Sequence, residues 1–167
     1  MTPADILALL QTAFGLITKP DALDPFALVG PHQLRDVCTF LKDDPRLRFD
    51  FLNDITATDW LEPDPKKIAK AGFDPHLEVV YHLSSFAHPG RRLTLKVVLP
   101  RDGAELPSVA ALWPTADWHE REAFDLLGVR FAGHPNLVRI LLADDWIGHP
   151  LRKDYEYPLE YRGIRCR

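Results

Sequence analysis

Residues 76–99 read HLEVVYHLSSFAHPGRRLTLKVVL, and their alternation decides the fold. Leu77, Val79, Tyr81 and Leu83 recur at every second position, as do Leu93, Leu95, Val97 and Leu99 beyond Phe86-Ala87-His88-Pro89-Gly90. A period of two lines up one face of an extended strand. Two such runs joined through a glycine-containing loop of medium length predict an antiparallel hairpin. The strands alternate rather than being apolar throughout, which fits a sheet with one face on a core and the other in water.

Outward from the hairpin, helices and shorter strands are legible. Thr2-Pro3-Ala4-Asp5 supplies an N-cap, a proline at the first helical position and an acidic residue at N3, in the manner of a capping box. Ile6, Leu9, Leu10, Ala13, Phe14 and Ile17 then follow at helical spacing and predict one buried face. Pro20 and Pro25 bracket a loop, Phe26 to Val29 reads as a short strand, and Gly30-Pro31 opens a helix through Leu34, Val37, Cys38 and Leu41 that stops before Pro45. Arg48 to Trp60 begins as alternation and reads as a strand, whereas Pro63 to Pro75 is polar, broken and loop-like. Pro107-Ser108 can start a short helix to Leu112, and Pro114-Thr115 a longer one to about Leu127, closed by Gly128. The expected class is α+β: an antiparallel sheet with helices packed on one face, followed by an extended C-terminal arm. The boundary is placed after residue 128, giving an α+β domain over 1–128 and an arm over 129–167.

Composition narrows the function classes. At 167 residues, with 46% apolar and 26% charged residues, the chain matches a globular domain. A net charge of −4 with dispersed Lys and Arg excludes the footprint of a nucleic-acid binder. The longest apolar stretch, Ile6 to Ile17, is shorter than the roughly 20 residues a membrane-spanning helix requires, and MTPADILALL lacks the features of a secretory signal. Cytoplasmic residence is the expectation. Cys38 and Cys166 are too few for an iron–sulfur cluster, and a reducing compartment disfavours a disulfide between them.

The segment from Trp118 to Gly128 concentrates charge on a helix. On spacing alone, Glu120, Arg121, Glu122 and Asp125 read as a solvated face with i,i+3 and i,i+4 pairs worth about 0.2–0.5 kcal/mol each. His119-Glu120 starts like a metalloprotease motif, but Ala123 stands where the second histidine is needed. Gly133-His134-Pro135 and Gly148-His149-Pro150 follow, two stiff turns that each aim an imidazole. Beyond them Arg152, Lys153, Asp154, Tyr155, Tyr157, Tyr161, Arg162 and Arg165 interleave aromatic and charged groups, as interface anchors do.

The run WHEREAFDLLGVRFAGHPNLVRILLADDWIGHPLRKDYEYP, residues 118–158, closely resembles the signature of the 30-kDa subunit family of respiratory complex I, the NADH:quinone oxidoreductase. Its core is E-R-E-x-x-D-L-x-G followed by two G-H-P turns, the second extended to G-H-P-L-R-K-D. FDFLNDITA, residues 49–57, resembles a second family marker, and the likeness covers roughly residues 30–165. Two departures stand out. Asn136-Leu137-Val138-Arg139-Ile140 replaces the common Asp-Leu-Arg-Arg-Ile, and Leu142-Ala143-Asp144-Asp145-Trp146-Ile147 replaces a Thr-Asp-Tyr-Gly-Phe type of linker.

The resemblance implies a non-catalytic, hydrophilic subunit of a proton-translocating NADH:quinone oxidoreductase, scaffolding the quinone-reducing arm beside the 49-kDa-type subunit and the cluster-bearing subunits. FMN, iron–sulfur clusters and quinone are then expected in other subunits and none on this chain. The place implied is the cytoplasmic face of the inner membrane, reached only through the complex. Glu120, Arg121, Glu122, Asp125, His134, His149, Arg152, Lys153 and Asp154 are the expected assembly residues, with the arm docking on the partner. An equivalent subunit of a membrane-bound hydrogenase, or of another donor-fed quinone oxidoreductase, is the nearer alternative. An autonomous metal enzyme built on His119, Glu120 and the two Gly-His-Pro histidines is the distant one.

Overall fold

The computed structural model describes residues 1–166. Helix α1 spans Pro3–Phe14, and the capping box forms as its sequence requires: Thr2 Oγ1 accepts from the Asp5 N–H at 3.2 Å, and Asp5 Oδ2 accepts from the Thr2 N–H at 2.7 Å. The helix ends sooner than the apolar spacing predicts, because Gly15 turns left-handed (φ 68°) and returns its N–H to the Gln11 carbonyl. Ile17 therefore leaves the helical face and begins a strand, β1 (Ile17–Lys19), where it is exposed. The buried stripe of α1 is Ile6, Leu7 and Leu10.

After β2 (Phe26–Leu28), a 3-10 turn at Pro31–Gln33 leads into α2 (Leu34–Asp43), which buries Leu34, Val37, Cys38 and Leu41 at the expected spacing. Strand β3 runs over Phe51–Trp60 and begins three residues later than the alternation suggests, since Arg48 adopts a positive φ of 44°. The hairpin forms as read, with β4 (His76–Ser84) antiparallel to β5 (Arg92–Leu99) and Tyr81 opposite Leu95. The five strands lie in the order β1-β2-β5-β4-β3. The sheet is largely antiparallel, with one exception: β2 runs parallel to β5, reached across the sheet after α2 and the three-stranded meander. One face, carrying Ile55, Leu77, Val79, Tyr81, Leu95 and Val97, joins the buried stripes of the helices in one continuous core. The other face presents Glu78, His82, Arg92 and Lys96.

A second unit sits beside this sheet. Strand β6 (Glu105–Pro107) and strand β7 (Arg130–Ala132) pair in parallel across α3 (Ala116–Leu127). The predicted short helix from Pro107 to Leu112 does not form. Leu106 is committed to the core opposite Phe131, and the few residues left before Pro114 are too short to offset helix nucleation. They make a turn instead, in which the N–H groups of Leu112 and Trp113 both reach the Val109 carbonyl. Trp113 Nε1 donates to the Phe49 carbonyl at 3.0 Å, fixing this turn to the approach of β3.

The chain beyond α3 starts inside the core, with Val129 and Phe131 fully or nearly fully buried. From residue 133 to residue 159 it contains no helix or strand, and it ends in a small hairpin of β8 (Glu160–Tyr161) and β9 (Ile164–Arg165). Among the described residues no helix is long and apolar enough to cross a membrane. Cys38 is buried, Cys166 is exposed, and both are free thiols.

Candidate functional site

The residues singled out in the sequence converge on α3 and on the chain that folds back over it. Glu120 points inward and is fully buried. Its Oε2 accepts from Ser108 Oγ at 2.6 Å and its Oε1 from the Val109 N–H at 2.7 Å, so the carboxyl ties α3 to the segment following β6. Burial pushes Glu120 up to about 7, against the opposing effect of the bonds from Ser108 and Val109, and the nearby Asp117 adds to the rise. His134, its side chain also buried, lies 3.9 Å from Glu120 Oε2. Its Nδ1 accepts the Asn136 N–H at 3.0 Å, which assigns the proton to Nε2, donated to the Asp117 carbonyl at 3.2 Å. The first Gly-His-Pro turn thus aims its imidazole into the protein.

Asp125, one and a half turns along, is equally buried. Oδ1 receives Arg139 Nη1 at 2.7 Å, while Oδ2 receives the consecutive N–H groups of Ile140, Leu141 and Leu142 at 3.0, 2.8 and 2.9 Å. Burial alone would raise the pKa of this carboxyl. The three backbone donors and the guanidinium outweigh it, and the net displacement is downward. Three successive amides wrapped on one oxygen form an anion nest, and here the anion is a side chain of the same chain.

The C-terminal end of α3 completes the arrangement. A helix leaves its last carbonyls without partners, at the negative end of its dipole. Here they are taken by the second Gly-His-Pro turn and its sequel. His149 Nδ1 donates to the Asp125 carbonyl at 2.9 Å, the Leu151 N–H to Leu126 at 3.1 Å, and Arg152 Nε to Leu127 at 2.8 Å. Gly128 is required twice, by its φ of 78° and because a Cβ there would sit 2.6 Å from His149 Nε2. Arg121, beside the exposed ring of Trp118, donates to the carbonyls of Val138 and Arg139 at 3.1 and 3.2 Å.

A third anchor holds the following residues. Arg101 forks between Asp59 on β3 (Nε to Oδ1 2.8 Å, Nη2 to Oδ2 2.9 Å) and Asp154 (Nη2 to Oδ1 2.6 Å). The Lys153 N–H also reaches Asp59, at 2.9 Å. Asp59 is buried, so an Arg101→Ala substitution strands an ionised carboxylate in the interior and is expected to cost about 2–4 kcal/mol. Arg101→Lys should recover only part of this, because an ammonium cannot reproduce the fork. Urea unfolding of the two variants checks both expectations.

The structure therefore brings seven of the nine sequence-derived residues into internal contacts: Glu120 and His134 at one end of α3, Asp125, His149 and Arg152 at the other, Arg121 on the loop, and Asp154 on Arg101. The side chains of Glu122 and Lys153 are exposed and have no partner among the described residues. The plain reading of α3 as a solvated face of mutual ion pairs is corrected: Glu120 and Asp125 are buried, and neither pairs along the helix. Sequence reasoning missed Ser108, Asp59, Arg101 and Arg139. Arg139 lay inside the quoted motif, next to the unusual Val138. The valine side chain is exposed, so that departure leaves the arginine at Asp125 intact. His119 engages Asp54 at 3.1 Å, while His134 and His149 bond to separate carbonyls. Among the described residues no group of three or more His, Cys, Asp or Glu side chains is arranged to hold a metal ion.

The geometry can be set beside known proteins. Residues 27–161 match the family described as respiratory-chain NADH dehydrogenase, 30 Kd subunit. The chain is 45% identical over 157 residues to an NADH-quinone oxidoreductase subunit of Roseiflexus castenholzii, covering 89% of this chain and 81% of that one. It is 41% identical over 140 residues to the like-named protein of Chlorobium phaeobacteroides, covering 84% and 78%. Among solved structures it resembles the trypsin-resistant fragment (1-134) of Nqo5, with a TM-score of 0.62, 26% identity, and coverage of 81% of this chain and 100% of the fragment. It also resembles a chain of a membrane-bound sulfane sulfur reductase, an archaeal respiratory membrane complex, with a TM-score of 0.70, 26% identity, and coverage of 92% and 84%. Since the match takes in the charged helix, both Gly-His-Pro turns and the sheet beneath them, the chain belongs to the respiratory-chain NADH dehydrogenase 30 Kd subunit family.

Proposed function

We propose that this chain is a non-catalytic hydrophilic subunit of a proton-translocating NADH:quinone oxidoreductase, and that it scaffolds the quinone-reducing arm beside the 49-kDa-type subunit. The observation that carries the reading is the segment after β7. It is fastened to the folded body by buried charge, yet it turns large apolar side chains outward: Leu141, Ile147, Leu151, Leu159 and Ile164 are all exposed, Ile147 at 86%. Large apolar side chains held outward and interleaved with charged and aromatic ones along one segment are characteristic of a surface awaiting a partner. In this reading residues 1–128, continued by the buried Val129 and by β7, form the body, and the chain from Gly133 onward is the docking arm. Glu120, Arg121, Asp125, His134, His149, Arg152 and Asp154 shape the arm, and Glu122 and Lys153 are left to meet a partner. FMN, iron–sulfur clusters and quinone belong to other subunits, and the complex holds this chain at the cytoplasmic face of the membrane.

The test is affinity purification of the tagged chain from its native membranes in mild detergent, with identification of co-purifying subunits and an NADH:quinone assay on the eluate. The 49-kDa-type and cluster-bearing subunits together with that activity are the expected result; a chain recovered alone would overturn the reading. A second reading draws on the likeness to the sulfane sulfur reductase chain: the same scaffold serving a complex fed by another electron donor. It predicts a different catalytic subunit in the eluate and no NADH oxidation. Limited trypsin digestion is expected to cut the isolated chain first at Arg162 or Arg165 in the exposed terminal hairpin, and to spare these sites in the complex.

A further inference from the structure

The loop joining β4 and β5 is stiff for a surface hairpin. Arg91 Nη1 donates to the carbonyls of Arg46 and Leu47 at 2.6 and 3.2 Å, the His88 N–H donates to Ser85 Oγ at 3.1 Å, and the Phe86 N–H donates to Asp50 Oδ1 at 2.8 Å. These bonds hold Phe86 out at 72% exposure, edge-on to Phe51 with ring centroids 5.0 Å apart. Beside it lies a cavity of about 290 Å³, which shares Asn53 and Arg92 with a second cavity of about 360 Å³ on the helix-free face of the sheet. Asn53 is the residue that β3 inserts between Leu52 and Asp54, where the register with β4 shifts, and such bulges re-aim side chains beside binding sites.

Charge around this groove is unevenly satisfied. Asp24 accepts the Thr94 hydroxyl at 3.1 Å, Asp54 is paired with His119 at 3.1 Å, and Arg91 is committed to main-chain carbonyls. Arg92 is exposed and has no partner among the described residues, and neither do the side chains of Asn53 and Ser84. An exposed aromatic on a rigid loop next to an unpaired guanidinium and two idle hydrogen-bonding groups combines the residue types that anchor protein interfaces. We propose that this groove binds an extended, carboxylate-bearing segment of a partner subunit, with the carboxylate on Arg92 and an apolar side chain against Phe86. The site lies on the hairpin and the open face of the sheet, apart from the arm on α3, and it rests on the reading of the chain as one member of a larger complex.

The experiment replaces Phe86 with the photocrosslinking residue p-benzoylphenylalanine in the tagged chain, purifies the complex from native membranes, irradiates it and maps the adduct by mass spectrometry. The expected adduct joins position 86 to a partner peptide with an Asp, Glu or C-terminal carboxylate within a few residues. Its yield should fall about tenfold with Arg92→Glu, corresponding to about 1.4 kcal/mol of lost attraction, and partly return with Arg92→Lys. An intact complex that gives no peptide adduct, an adduct to lipid, or a peptide adduct indifferent to Arg92→Glu would each overturn the proposal. If no complex is recovered, the reading beneath it fails first, and the groove has no partner subunit to receive.

Discussion

Asp125→Ala is expected to lower the stability of the chain by about 3–5 kcal/mol and to release the segment from Arg139 to Leu142. The substitution leaves Arg139, whose side chain is only 20% exposed, without its counter-ion, and leaves three consecutive N–H groups without an acceptor. Each orphaned donor carries its own desolvation penalty, and together they cannot be met by one water. Asp125→Asn should recover little, since an amide offers one accepting oxygen where two are used and places an NH₂ group against a donor. Urea unfolding gives the stability, and hydrogen exchange at residues 139–142 reads the local release. Loss at these amides without loss in β4 would place the effect on this segment. The pH dependence has a definite sign. A carboxyl whose folded pKa is depressed contributes stability above its ordinary value of 3.8 that is lost as the pH falls through the folded value, so the wild type, unlike the Asn variant, should lose this contribution under strongly acidic conditions.

Glu120 should behave in the opposite sense. Its folded value of about 7 lies above the ordinary 4.5, so between these limits the native state binds more protons than the unfolded chain. Stability due to this group is fully present below about pH 4.5, declines as the pH rises towards 7, and is flat beyond; the displacement corresponds to a change on the order of 3 kcal/mol. Glu120→Gln removes the slope. Its amide oxygen can accept from the Val109 N–H and its NH₂ can donate to Ser108, so the variant is expected to be at least as stable as the wild type at pH 8. Glu120→Ala should instead lose about 2–4 kcal/mol at pH 5, where the wild-type carboxyl is protonated in the fold, and less as the pH rises towards 8, because Val109 N–H and Ser108 lose their acceptor and a cavity opens between α3 and the segment after β6. Unfolding midpoints from pH 5 to pH 8 decide the matter: an undiminished slope in the Gln variant would assign the titration to another group. The two carboxyls act in separate pH windows, so their contributions can be measured independently.

Much of the fold was legible because it depends on local rules. The hairpin of β4 and β5 follows from a strict period of two, the entry of α1 from Thr2 and Asp5, and the exit of α3 from Gly128. Where the reading failed, a distant partner had overruled local preference. Ile17 keeps helical spacing with Phe14, but Gly15 turns the chain and β2 offers Ile17 a place opposite Leu28. Pro107 and Ser108 look like a helix start, but Leu106 is held in the core by Phe131, twenty-five positions later in the chain. Parallel pairing of β2 with β5 has no signature in either strand, since it joins residues separated by the whole of α2, β3 and β4.

The charged segment from Trp118 onward divides along the same line. By itself the sequence determined that the charged helix, the two Gly-His-Pro turns and the tyrosine-rich tail are specific to one family, because their order and spacing are local and rarely arise by chance. Tertiary structure alone decided what those residues do in the folded chain. An isolated Asp or Glu on a helix reads as solvent-facing, for its charge costs nothing in water. Only the positions of Ser108, Arg139 and three amides far along the chain make it favourable to bury Glu120 and Asp125, and those partners are chosen by the fold. The course of the chain beyond β7 over α3 is fixed in the same way, by carbonyls that every helix leaves open at its end and that here wait for His149, Leu151 and Arg152.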